Sequence, residues 1–309
     1  MSFLAAFIMR GRMQAILVAS LLAWVSPLIH PLLMPFVIIV SFATIALVTL
    51  RNGSSEGLYV LLFATAVAAL GGLLIGGNGF LMLMAIICLL TWLPAWLIAV
   101  VLRETRQISL AIECAVFIVV LGVIGFYLYE ADPAKIWQDM FAPILQMLPT
   151  EAPVEEVKNQ LTIGSHYMTG MFATGVVFMV VFGLFLGRWW QSVLYNPGGF
   201  KQEFLSLRTG ASLAIASITV IAVARLTSGT VSEVASNIIM LLFVLYLFIG
   251  TSVLHTVFST MKQSKYLVPM LYIAYFIPYF SAPFTIAVAL VGLCDAWLNL
   301  RKIQSTPAR

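Results

Sequence analysis

Charge is what this sequence has least of: only 9% of its 309 residues are Asp, Glu, Lys or Arg, against roughly 25% in an ordinary soluble domain. A chain that is 62% hydrophobic cannot lay a water-facing surface around its core from so few charges, so lipid is its main solvent. Cysteine is scarce as well. Cys88, Cys114 and Cys294 each lie inside an apolar run without metal-type spacing and read as packing residues. The sequence has no Gly-rich phosphate loop with a following Lys, no His-Glu-x-x-His, no Gly-x-Ser-x-Gly and no Cys-x-x-Cys. A self-contained ATPase, a zinc protease of that type and a nucleophile-elbow hydrolase are thereby disfavoured, and no catalytic residue, metal or cofactor is assigned. Nor does the net charge of +4 make a nucleic-acid surface, because Lys and Arg sit singly at the ends of apolar runs.

Long apolar runs are what the sequence does have. They are continuous rather than alternating, which selects helices over a barrel, since lipid leaves backbone groups to be paired within the segment. The expected fold is an all-α polytopic transmembrane bundle forming a single membrane domain over 1–309. It has about ten spans, eight to ten in all, at 13–29, 32–50, 58–76, 80–102, 108–129, 166–187, 209–226, 237–259, 267–280 and 283–300, near the length of about 20 residues that a span needs. Arg10 and Arg12 before the first run resemble a signal sequence, yet Val25-Ser26-Pro27 is a poor cleavage site, so an uncleaved span is expected. Prolines punctuate the first pair at Pro27 and Pro31 and the last pair at Pro278 and Pro283. The segment 267–280 is short and also fits a re-entrant piece or half of one broken helix.

Basic residues orient the bundle. With the N-terminus in the cytoplasm, thirteen Lys and Arg fall inside and Lys135, Lys158 and Arg225 fall outside, together all 16. An odd number of spans would put Arg301, Lys302 and Arg309 outside, so both termini are expected in the cytoplasm. The long extracytoplasmic loop at 130–165 is acidic. Within it Trp137, Met140, Phe141, Ile144, Leu145 and Leu148 recur at helical spacing, Asp132 is placed to cap, Pro133 suits a first turn and Pro149 ends the run. This predicts an amphipathic helix over 133–148, either covering the bundle in the membrane plane or forming a lid over an external site. The cytoplasmic loop at 188–208 carries Arg188, Trp189 and Trp190, then Tyr195 and the turn Asn196, Pro197, Gly198 and Gly199. It reads as an interfacial anchor followed by a turn, or as a surface for a cytoplasmic partner. Gly72 with Gly76, and Gly183 with Gly187, make Gly-x-x-x-Gly pairs, weak signals in so apolar a chain.

Ionisable groups inside spans cost about 2.5–3.5 kcal/mol each at the bilayer centre. Glu113 lies seven residues beyond Arg106, His255 seven before Lys262 and Asp295 seven before Lys302, so each sits about 10 Å along its helix from a cytoplasmic basic residue. Ser109 and Asn299 are one turn from Glu113 and Asp295. The three polar groups share one depth, and serve either as a substrate-binding or proton-relay site or as interhelical hydrogen-bonding groups worth about 0.6 kcal/mol each.

The stretch Gly187-Arg188-Trp189-Trp190-Gln191 through Asn196-Pro197-Gly198-Gly199-Phe200 to Arg208, and the ending Gly292-Leu293-Cys294-Asp295-Ala296-Trp297 to Arg301, resemble the YybS-like family of predicted bacterial membrane proteins. The resemblance implies the bacterial cytoplasmic (inner) membrane. It brings a remote fold-level analogy to the substrate-binding membrane components of energy-coupling-factor transporters, which usually have about six spans. The sequence reading is therefore an inner-membrane binding or transport component for a small or amphipathic molecule, without its own ATPase. The alternative is a non-transporting structural or assembly scaffold. Its expected partners are the lipid bilayer, a small or amphipathic ligand and a cytoplasmic or membrane protein; nucleic acid is not among them.

Overall fold

A computed structural model describes residues 2–146, 154–277 and 280–301. Among these residues every regular element is helical: α1 (Ser2–Ile8), α2 (Arg12–Val25), α3 (Met34–Asn52), α4 (Ser54–Thr105), α5 (Ile108–Tyr129), α6 (Pro133–Gln146), α7 (Val154–Tyr195), α8 (Gly199–Leu205), α9 (Ala211–Leu226), α10 (Thr230–Ser259), α11 (Ser264–Ile273) and α12 (Ser281–Leu298), with short 3-10 turns at Ser26–Leu28 and Ala274–Phe276. Six of them (α3, α4, α5, α7, α10 and α12) are long and apolar enough to cross a membrane, and α2 with its 3-10 turn and α9 are shorter apolar helices.

The 52-residue α4 is not one rod. Gly76 and Gly77 leave helical geometry, with Gly77 at φ 70° and ψ −159°, a region open to glycine and strained for other residues. Residues 54 and 96 would lie about 63 Å apart on a straight helix, yet the Trp96 indole N–H donates to the Ser54 carbonyl at 2.9 Å. The two arms therefore run antiparallel, and the break falls where the sequence separates 58–76 from 80–102.

The chain divides into two compact units, one of residues 1–115 with 178–207, the other of 116–177 with 208–309; α5 and α7 contribute residues to both. In the first unit α2, α3, both arms of α4 and the C-terminal part of α7 pack together. A Cβ on Gly187 would stand 2.9 Å from Ala46 Cβ and 3.0 Å from the Ala43 carbonyl, so the pair Gly183 and Gly187 brings α7 onto the backbone of α3. Ile45, Leu47, Leu61, Ile98, Leu184 and Trp190 fill this core. In the second unit α9 and α10 form a hairpin through Gly229 (φ 66°), tied by the Ser217 and Tyr246 hydroxyls at 2.9 Å. α10 crosses α12 where Gly250 and Gly292 meet.

Two expected loops are largely helical. α6 spans Pro133–Gln146, with Asp132 capping it through the Lys135 N–H at 3.2 Å. Trp137 faces α7, its indole N–H donating to Thr169 Oγ1 at 2.9 Å and its ring 5.9 Å from that of Phe172. Leu148 and Pro149, and the side chain of Ile144, lie outside the described residues, as does Pro278. α7 begins at Val154, inside the segment read as extracytoplasmic loop, and ends at Tyr195, inside the one read as cytoplasmic loop. At about 63 Å it is twice the thickness of a bilayer core. Hydropathy locates only the apolar stretch of such a helix; its polar ends remain helical because nothing in them breaks the backbone.

Candidate functional site

The three intramembrane polar groups fall in both units, and each has its own local setting. Glu113 lies on the part of α5 that belongs to the first unit and is half-buried, whereas His255 and Asp295 belong to the second. His255 Nδ1 is 2.7 Å from the Tyr272 hydroxyl, with the rings edge-to-face. Asp295 is fully buried. One of its oxygens accepts the Leu300 N–H at 2.9 Å, and the other lies 3.7 Å from Arg301. The basic residue that reaches Asp295 is thus Arg301, brought back by the left-handed turn at Asn299 (φ 46°); Lys302 lies outside the described residues. Burial pushes the Arg301 guanidinium below its ordinary value, Asp295 raises it again and Arg208 adds to the lowering. The cavity described below is lined by none of the three.

The residues flagged at 188–208 build a turn, as their sequence predicts, and a short helix that folds back after it. Trp190 is fully buried in the first unit, whereas Trp189 is 38% exposed; an interfacial role fits Trp189 alone. Among the described residues the Trp190 indole N–H has no hydrogen-bond partner, so its worth is apolar packing. After α7, Pro197 and Gly198 (φ 88°) turn the chain. Ser192 clamps the turn, donating to the Asn196 carbonyl at 2.7 Å and accepting the Phe200 N–H at 3.2 Å. α8 then folds back, with Phe200 and Phe204 packed on Phe185. That return sets Glu203 against Arg188, which grips both its carboxylate oxygens and also donates to Gln191 at 2.9 Å.

Beside this pair opens a cavity of about 630 Å³ lined by the ends of α3, α4 and α7, with Arg51, Arg103, Glu104, Arg106, Arg188, Gln191, Tyr195, Asn196 and Glu203 among its walls. Two of its four guanidinium groups have structural work. Arg188 neutralises Glu203, and Arg103 donates to the Leu50 and Thr49 carbonyls at 2.7 and 3.3 Å, closing the C-terminus of α3 where a cation suits the helix dipole. The other two are exposed and meet no carboxylate among the described residues. Arg51 stacks on Tyr195 with its central carbon 4.0 Å from the ring centroid, which leaves the N–H edge of its plane open. Arg106 holds a left-handed backbone (φ 54°) at the end of α4. A cavity with planar N–H donors in excess of acceptors can receive a phosphate or carboxylate in bidentate fashion.

Arg188 and Asn196 were legible in the sequence as part of a distinctive stretch. Arg51, Arg103 and Arg106 were legible only as topology signals, because their convergence depends on how α3 and the second arm of α4 end. A second polar cluster, of Tyr127, His166, Glu233 and Asn237, went unread. His166 and Asn237 each open an expected span and Glu233 precedes one, so their polarity passed for span-end polarity. Comparison of the chain with protein-family models, curated proteins and solved structures finds no match in any of the three.

Proposed function

We propose that this chain is an integral membrane binding or transport component that holds the anionic group of a small or amphipathic molecule in the arginine-lined cavity. The observation that carries the reading is the pair Arg51 and Arg106, guanidinium groups presented to a cavity of about 630 Å³ without carboxylate partners among the described residues. The ends of α3, α4 and α7 that form it carry Arg51, Arg103, Arg106 and Arg188, four of the thirteen basic residues assigned to the cytoplasm. In the proposed topology of about ten crossings, with both termini cytoplasmic in a bacterial inner membrane, the cavity opens on the cytoplasmic side. The resemblance to YybS-like proteins supports that location. The scaffold reading draws on the same exposed arginines and on Trp189, as a docking surface for an acidic partner segment.

The test is thermal stability of the purified protein in neutral detergent, with and without inorganic phosphate and an anionic or zwitterionic lysolipid. A ligand at 100 times its Kd adds about 2.7 kcal/mol. An increase with an anionic probe, lost in Arg51→Gln/Arg106→Gln, supports the reading. No increase with any anion, or one that persists in the double variant, overturns it.

A further inference from the structure

In the second unit the first turn of α10 gathers titratable groups from two other helices. Glu233 sits where a carboxylate suits the helix dipole. Its Oε1 accepts the Tyr127 hydroxyl of α5 at 2.6 Å, and its Oε2 lies 2.7 Å from Nδ1 of His166 on α7. One turn further Asn237, fully buried, inserts its side-chain amide into α7: Nδ2 donates to the His166 carbonyl at 2.8 Å, and Oδ1 accepts the Gly170 N–H. These are the two groups that a regular helix would join to each other. Nδ2 also donates to the Tyr127 hydroxyl oxygen at 3.1 Å. Only glycine fits at 170, because a Cβ there would lie 2.6 Å from Asn237 Oδ1. The seat of α10 on α7 is thus a polar wedge with the carboxylate–imidazole pair directly above it.

The pair is asymmetric toward water. The His166 side chain is 48% exposed and that of Glu233 19%, so protons exchange at the ring. A neutral imidazole donating from Nδ1 to Oε2 leaves the Nε2 lone pair open. A proton taken up from water at Nε2 gives an imidazolium that keeps the same hydrogen bond and adds an opposite charge beside the carboxylate, taking the pair from −1 to neutral; release to water reverses it. Among the described residues the titratable groups facing Glu233 are Tyr127 from α5 and His166 from α7. From α6, Trp137 and Gln138 meet Thr169 and Ser165 while Lys135 and Asp139 are exposed, and from α9 Arg225 is exposed and outside ion-pair distance.

We propose that His166, Glu233 and Tyr127 form a proton-binding site of the second unit, with the imidazole as the point of uptake, and that uptake tightens the seat of α10 on α7. The proposal is independent of the arginine cavity. Its test is the unfolding equilibrium of the full chain in detergent at about pH 8 and about pH 5.5, the range over which imidazoles titrate, for wild type, His166→Gln, Glu233→Gln and the double variant His166→Gln/Glu233→Gln. His166→Gln keeps an amide donor, and Glu233→Gln keeps an acceptor while removing the charge. His30 and His255 are common to all four proteins. The added charge favours the folded state at acid pH, so the wild-type advantage over His166→Gln should grow about two- to fivefold from pH 8 to pH 5.5, as for partly exposed ion pairs. In the Glu233→Gln background that growth should vanish. The same wild-type advantage at both pH values, or growth that survives Glu233→Gln, overturns the proposal.

Discussion

Replacing the glycines at the crossing of α10 and α12 should produce a cost that does not add. A Cβ on Gly292 would stand 2.1 Å from the Tyr246 carbonyl oxygen and 2.7 Å from the Gly250 nitrogen, and one on Gly250 would stand 1.9 Å from the Val288 carbonyl oxygen. A carbon rests at about 3.3 Å from such an oxygen, so either alanine must push the helices apart by about 1.2–1.4 Å. The obstructing atoms are main chain, and no rotamer change relieves them. A gap of 0.5–1 Å already forfeits a quarter to a half of the dispersion energy across a contact, which places Gly→Ala here at the upper end of overpacking costs, about 3 kcal/mol. The better helix propensity of alanine returns about 1 kcal/mol, leaving about 2 kcal/mol for each single substitution. Because one separation accommodates both methyl groups while the propensity gain is made twice, Gly250→Ala/Gly292→Ala should cost about 1 kcal/mol instead of about 4, a coupling of roughly 3 kcal/mol. Gly122→Ala is the control, since nothing stands within 4 Å of its Cβ and propensity alone should leave it neutral or stabilised by up to about 1 kcal/mol. Equilibrium unfolding of the four proteins in mixed micelles measures all of these. Near-neutral single substitutions at 250 and 292, or strict additivity, would refute the main-chain contact as the cause.

Arg301→Gln strands a fully buried carboxylate and should cost about 3 kcal/mol, near the low end for breaking a buried pair; Asp295→Asn keeps the acceptor for Leu300 and should cost less, and thermal unfolding giving the reverse order would count against the pairing. Trp190→Ala should cost about 3–5 kcal/mol and Trp190→Phe less than about 1.5 kcal/mol, because the indole N–H has no partner to lose, whereas Trp189→Ala should fall within about 0.5 kcal/mol; a large loss from Trp189→Ala in the same melts would reverse the assignment of core and surface. In a background free of native cysteines, a cysteine at 155 should react with an impermeant maleimide from outside intact cells and one at 201 only after permeabilisation, the opposite pattern refuting the topology.

Composition determined that the chain is apolar enough for lipid, because so few charges leave no other solvent for its side chains, and its continuous apolar runs determined that it is helical. Local chemistry in the sequence also determined the extent of α5, the Asp132 cap and Pro133 start of α6, and the break in α4 near Gly76 and Gly77, since a cap or a glycine break acts within one turn of where it is written. Tertiary structure decided what each polar residue meets. A seven-residue offset paired Asp295 with Lys302, which lies outside the described residues; that the left-handed turn at Asn299 brings Arg301 to Asp295 is a matter of one residue's backbone that periodicity does not carry. Trp189 and Trp190 are adjacent and identical, and only the packing of α7 on α3 sends one to the surface and the other into the core. Arg51, Arg103 and Arg106 looked like isolated span-end charges until the ends of α3, α4 and α7 met around one cavity. Asn237 became a wedge in α7 because Gly170, 67 residues away in sequence, leaves room for its amide, and no spacing along the chain records that coincidence.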